Sequence, residues 1–336
     1  MTDQPLHIEG APVPEPGERC SAFARRTGAT TLGTGIAASA VLVIDVPTPW
    51  PHKIEDEPTI ATVPNMTGLV TLAAVPREDH PLMATLYLRE ASGSASVWTL
   101  PFLDSRPEDW ERLAECLDWA AGGPIQAEWW EPAGWTQLQP RRTWLICTHG
   151  SRDVCCGSKG ASFALDVRQR LGGAEQRRVS HLGGHRFAPT VLEMPSGRTW
   201  AYATSDLIQA REAGQLPTGA GDMGRGWWGA PPGAGQVAEW AAMTEVLGVS
   251  SADDPGTSRP TDAFESPLDN WDVSERTVHS RQIGHTTFEV VVTNPTSEVV
   301  VTVEKTGVDL IPACGVYDGA HKSTPAFSIT SVARVR

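Results

Sequence analysis

The chain has 336 residues, a net charge of −13 and a hydrophobic content of 40%, long enough for two or three domains around sizeable cores. That acidic balance argues against nucleic acid or an anionic membrane as the main partner, because both demand a basic face. The six cysteines, at 20, 116, 147, 155, 156 and 314, have no disulfide-framework spacing, which fits a reducing compartment.

The N-terminus, Met1-Thr-Asp-Gln-Pro-Leu-His-Ile-Glu-Gly, lacks the basic and apolar regions of a secretory signal, and a cytoplasmic location is expected. Residues 1–30, with Pro12, Pro14, Pro16 and Gly17, read as a mobile leader. The most apolar stretch, Thr31 to Val46, is interrupted by Gly33, Gly35 and Asp45 and is too short and polar to span a bilayer. Val41–Val46 and Leu69–Ala74 read as strands, and Met83–Arg89 with Ser96–Phe102 as a hairpin around Ser92-Gly93-Ser94. A helix follows, capped by Ser105 with Glu108 three residues on, and Trp110, Leu113, Ala114 and Leu117 share one face.

The next segment repeats that order. Thr143–Cys147 is a strand, Ala161–Leu171 a helix, Arg178–Ser180 a short strand, Thr190–Met194 and Thr199–Ala203 a hairpin, and Ser205–Ala213 a helix ended by Gly214. Strand, helix, three strands and helix is the thioredoxin-like arrangement. The expected organisation is α/β: residues 31–137 form a half without ligands, 138–248 a ligand-bearing domain, and 249–336 a linker with a small C-terminal β module. An internal duplication whose first half has lost its ligands explains the repeat, and two unrelated α/β halves are the alternative. Trp227-Trp228, in the glycine-rich stretch 219–235, either dock a partner or pack over a core. Gln236–Leu247 is a helix, and strands Thr286–Thr293 and Val299–Lys305 turn at Asn294-Pro295-Thr296-Ser297. Cys314 reads as a buried residue of that module.

Two blocks carry the chemistry: Cys147-Thr-His-Gly-Ser-Arg-Asp-Val-Cys155-Cys156 and Ser180-His181-Leu-Gly-Gly-His185-Arg186. Cys147, eight residues, Cys156, twenty-four residues, then His181 and His185 three apart make a set of two thiolates and two imidazoles. Such donors select zinc or an iron–sulfur centre over calcium or magnesium. Eight intervening residues are too many for the tight knuckle of a structural zinc site, whereas a two-iron rhomb accommodates a long first loop. Gly183 and Gly184 let the backbone fold closely around a cluster. His149 is either a fifth donor or a hydrogen-bonding neighbour. Arg186 either raises the centre's potential, meets an acidic partner, or lies in solvent. The chain has no Gly-x-Ser-x-Gly elbow and no Cys-x-x-Cys, and Gly33-Thr-Gly35 precedes its strand instead of following one. An electron carrier is therefore expected over a catalyst.

The two blocks resemble the sucrase/ferredoxin-like family, with looser similarity in Leu32-Gly-Thr-Gly, in Val41 to Trp50 and in Gln236-Val-Ala-Glu-Trp-Ala, over about residues 20–245. Thr48 and Pro51 stand where the family has glycines, and Val179 where relatives often carry a further cysteine. The resemblance implies a bis-histidinyl [2Fe–2S] ferredoxin, with Cys147 and Cys156 on the buried iron and His181 and His185 on the outer one. The family's eight-residue spacing selects Cys156 over Cys155, which becomes a packed neighbour of the centre. It further implies single-electron transfer, coupled to protons through the second ring nitrogens, with a redox protein as donor or acceptor. Two other readings stay open: a Cys2His2 structural zinc module, and a thiol-dependent redox enzyme using Cys155.

Overall fold

The computed structural model describes residues 12–78, 80–90, 95–101, 134–248, 270–272, 274–311 and 322–336. The helix expected from Ser105, the Ser92-Gly93-Ser94 turn, Cys116 and Cys314 lie outside them. Within them the protein is mixed α/β, with one large mixed sheet and a separate four-stranded antiparallel sheet.

The large sheet grows from two strands whose sequences are continuous apolar runs. β1 (Ala40–Asp45) and β6 (Thr143–Cys147) are buried at every residue, as strands covered on both faces must be. β1 pairs in parallel with β2 (Leu69–Ala74) on one side and antiparallel with β3 (Met83–Arg89) on the other. β4 (Ala95–Pro101) and β5 (Thr136–Leu138) extend that half. β6 likewise pairs in parallel with β7 (Gln176–Val179) and antiparallel with β8 (Val191–Met194), followed by β9 (Arg198–Trp200) and β10 (Gly224–Trp227). The two half-sheets therefore have the same strand order, and they meet where β2 touches β7 antiparallel at Ala74 and Val179. Ser180 locks this seam: its amide donates to the Ala73 carbonyl at 2.8 Å, and its hydroxyl accepts from the Ala73 amide at 3.1 Å.

Four helices matter for the site: α1 (Cys20–Arg26), α2 (Ala161–Arg170), α3 (Ser205–Glu212) and α4 (Ala234–Leu247). α1 falls inside the stretch expected to be a loose leader. Its Cys20, Phe23 and Ala24 recur at helical spacing and are all buried, because they pack with Phe187, Ala201 and Tyr202 and beside Cys155. α4 lies between the two sheets. Val237, Ala238, Ala241 and Ala242 share a core with Trp144 and Trp200 and with Val290, Val299 and Val301 of the C-terminal sheet.

That sheet has the order β11 (Thr277–Gln282), β12 (Thr287–Asn294), β13 (Ser297–Ile311), β14 (Lys322–Arg334). The sequence announces only its middle hairpin, turned by Asn294, whose Oδ1 accepts from the amides of Thr296 at 2.9 Å and Ser297 at 2.7 Å. A buried ion network ties the region together: Arg198 pairs with Glu239 at 3.0 Å and Arg211 with Glu193 at 2.8 Å, while Asp272 pairs with both arginines. Trp227 and Trp228 are 0% and 2% exposed, so they serve the core and not a docking surface.

Candidate metal centre

The seam between the half-sheets is where the two blocks meet. β6 ends on Cys147, β7 ends on Val179, and Ser180-His181 continue from it, so both donor segments leave the carboxyl ends of adjacent parallel strands. This is where open α/β sheets form ligand sites. After Cys147 the chain loops out and returns as a wide π-helical turn, Cys156–Gly160, that runs into α2; such turns recur at functional sites. Gly160 permits the return, since a Cβ there would stand 1.9 Å from the Cys147 carbonyl oxygen.

Cys147 and Cys156 are 0% and 1% exposed, and His181 Nδ1 lies 3.9 Å from each sulfur. The three donors fall within 4.8 Å of one another, close enough to share an ion. A hydrogen bond from Cys156 draws the Cys147 thiol well below the ordinary range, while the same contact and burial push Cys156 far up. The contact thus favours one proton shared by the buried pair, and a cation bound between the sulfurs would stabilise both as thiolates.

His185 stands further out. Its ring is 6.2 Å from that of His181, and its side chain is 21% exposed. Its Nδ1 lies 3.0 Å from Asp153 Oδ2 and 3.3 Å from Cys20 Sγ, so Nε2 is the nitrogen that could serve a metal. Asp153 Oδ1 accepts from the amides of Cys155 at 2.8 Å and Cys156 at 3.3 Å, so one carboxylate ties the cysteine turn to the outer histidine. Burial, the largest single influence, would raise the Asp153 carboxyl; the bond and charge of His185 and the bond from the Cys155 amide together outweigh it and hold the group below its ordinary value. The left-handed glycines between the histidines have φ of 69° and 65°, and a Cβ on Gly184 would meet the Arg225 guanidinium at 2.6 Å.

Arg225 is a residue of the site that the sequence does not announce. It is 2% exposed, its Nε donates to Thr34 Oγ1 at 3.1 Å, its Nη1 to the Gly183 carbonyl at 3.2 Å and its Nη2 to the Thr34 carbonyl. Burial, reinforced by Arg186, lowers it to about 9, and the charges that pull it back up are the sulfurs of Cys147 and Cys156. A buried cation near two cysteine sulfurs fits a centre that would carry or gain negative charge.

The remaining candidates make contacts of their own outside the donor group. His149 is buried and its Nε2 donates to the Pro51 carbonyl at 2.8 Å, so it steadies the loop and does not join the donor group. Arg186 donates to Thr324 Oγ1 at 2.7 Å and covers Phe187, facing the C-terminal sheet instead of solvent. Cys155 points away from Cys147 towards Cys20, whose sulfur is 3.4 Å distant. Cys20 comes from 135 positions upstream and gives no local signal. Asp153 does give one, since an Asx residue just before a helical turn is a capping signature.

The sequence signature of the sucrase/ferredoxin-like family matches residues 31–230. The chain belongs to the sucrase/ferredoxin-like family. All four expected donors, with the turn and the glycines that position them, fall inside the matched segment, whereas Cys20 and the C-terminal sheet fall outside it. No curated protein and no solved structure matches the chain. Among the described residues, no helix is long and apolar enough to cross a membrane.

Proposed function

We propose that this sucrase/ferredoxin-like protein carries single electrons through a [2Fe–2S] cluster held by Cys147, Cys156, His181 and His185. The observation that carries this reading is the polarity of the donor set: two fully buried sulfurs on one side, two partly exposed imidazoles on the other. A cluster so held would supply a one-electron couple whose potential is raised by imidazole in place of thiolate.

The chain's own residues divide the work. Cys147 and Cys156, enclosed by Leu145, Val179, Leu182 and Trp227, keep water from the sulfurs. His181 and His185 offer the route by which an electron reaches a partner protein. Asp153 holds the proton on His185 Nδ1 and fixes that ring, so the Nε2 of His181 is the atom at which a proton follows the electron. Arg225 favours the more negative, reduced state from its buried position. The first half acts as a scaffold, and its strand order, the same as that of the second half, supports a duplicated thioredoxin-like fold whose first copy has lost its ligands.

His185 also speaks against the zinc alternative, since a donor standing outside the compact trio suits a centre larger than one ion. The test is metal and sulfide analysis of anaerobically purified protein with its visible spectrum. About two irons and two sulfides per chain in a red-brown protein are expected. A colourless protein with one zinc overturns the reading.

A further inference from the structure

Beside the centre lies a second sulfur pair that electron transfer does not use. Cys20, at the start of α1, and Cys155, in the ligand turn, are 2% and 0% exposed, with their sulfurs 3.4 Å apart. Both are thiols. Ser21 Oγ donates to the Cys155 sulfur at 3.6 Å, and Lys159 Nζ donates to Ser21 Oγ at 2.6 Å. The cation orients the hydroxyl so that its hydrogen faces Cys155, while Cys20 Sγ lies 3.3 Å from His185 Nδ1.

These two sulfurs and Asp153 also lie within 4.8 Å of one another, as a metal site would require. The carboxylate, however, is already engaged: Oδ1 takes the Cys155 and Cys156 amides and Oδ2 takes His185 Nδ1. What is left is two sulfurs in contact, needing only a short closure to the S–S distance of about 2.05 Å.

We propose that Cys20 and Cys155 form a redox-active dithiol that a peroxide converts to a disulfide, bonding α1 to the ligand turn. The Cys155 sulfur attacks one peroxide oxygen, the O–O bond breaks, and Cys155 becomes a sulfenic acid as the other oxygen leaves as water. The Cys20 sulfur then displaces the sulfenic hydroxyl, which leaves as a second water once protonated. Two thiols and one hydrogen peroxide give one disulfide and two waters, and the two electrons lost by sulfur reduce the peroxide oxygens. The bond fixes α1 over the Asp153 and His185 side of the centre, making the pair a peroxide-responsive latch.

The experiment treats the purified, metal-loaded protein with stoichiometric hydrogen peroxide, alkylates it and maps its peptides without reductant. The expected result is a Cys20–Cys155 cross-linked peptide that dithiothreitol removes. Cys20→Ser should stop at a Cys155 sulfenic acid trapped by dimedone, and Cys155→Ser should lower total dimedone labelling at least tenfold. Cross-linking of Cys155 to Cys147 or Cys156, or alkylation of both Cys20 and Cys155 after peroxide, overturns the proposal. So does a stoichiometric zinc that is lost on Cys20→Ser and kept on Cys147→Ser, which would make Cys20, Asp153 and Cys155 a metal site. The visible spectrum of the same sample separates the two readings: a colourless protein that forms the bond fails only as an electron carrier, and a red-brown one that does not fails only as a latch.

Discussion

The two half-sheets share one strand order yet end their central strands on different chemistry. β1 pairs Asp45 with Ala74 of β2, and β6 pairs Cys147 with Val179 of β7, so Asp45 and Cys147 occupy equivalent registers. In the second half that position carries a cysteine of the group that could hold a metal. In the first it supplies a buried ion pair to Arg177 and accepts from the Met83 amide at 3.1 Å. Arg177 lies on β7, so the carboxylate of the first half braces the strand that leads to His181. One scaffold position thus serves stability in one half and joins a candidate metal site in the other, and the loop that follows differs between them. After Cys147 comes a return turn bearing Cys156; after Asp45 comes Val-Pro-Thr-Pro-Trp50, whose indole closes back on the Val46 carbonyl at 3.0 Å.

The widest separation between the halves should come from truncating these two residues. Cys147→Ser or Cys156→Ser should abolish bound iron and sulfide, while Cys155→Ser leaves about two of each. Asp45→Asn should keep the centre but cost about 3–5 kcal/mol of stability, because it leaves Arg177 buried without its charge partner. Denaturant unfolding and iron analysis of the same samples check both. Loss of iron in Asp45→Asn at unchanged stability would break the division of labour.

A smaller effect is expected at Arg225, the buried cation on the ligand side. Arg225→Gln should lower the reduction potential by on the order of tens of millivolts, since one positive charge facing the thiolates is removed. Arg225→Lys should recover part of the shift. Equal potentials in wild type and Arg225→Gln would show that the guanidinium serves only to brace Thr34 and Gly183.

The smallest concerns acid. The Asp153 carboxyl sits below its ordinary value of 3.8, so the stability its bonds contribute is fully present above that value and is lost as pH falls through the lowered one. Bleaching of the visible chromophore should therefore accelerate below about pH 4 in wild type. Asp153→Asn should bleach faster at neutral pH and lack that acid limb. Identical pH profiles for the two would remove Asp153 from the support of the centre.

The sequence was most informative where burial is continuous or the donor spacing is local. β1, β2 and β6 stand out as apolar runs, and the Cys147, Cys156, His181 and His185 pattern is visible because each pair sits within one loop. It was least informative where a contact is long-range or a small residue hides an element. β10 is Gly-Arg-Gly-Trp, whose glycines read as loop although its edge pairing with β9 makes it a strand. α1 has its apolar spacing at 20, 23 and 24, but Pro14, Pro16 and Gly17 just before it resemble a leader. Arg225 gains its meaning only from the fold that seats it on Gly184, as Cys20 does from the turn beside it.

The claim that buried thiolates face partly exposed imidazoles across one cluster is tested most directly by the reduction potential of the His181→Cys, His185→Cys double variant. An all-thiolate cluster carries two more negative charges than one with two neutral imidazoles, so the variant should lie lower than wild type by on the order of 100 mV or more. An unchanged potential in a variant that still holds about two irons and two sulfides would contradict the account, because His181 and His185 would then not be ligands.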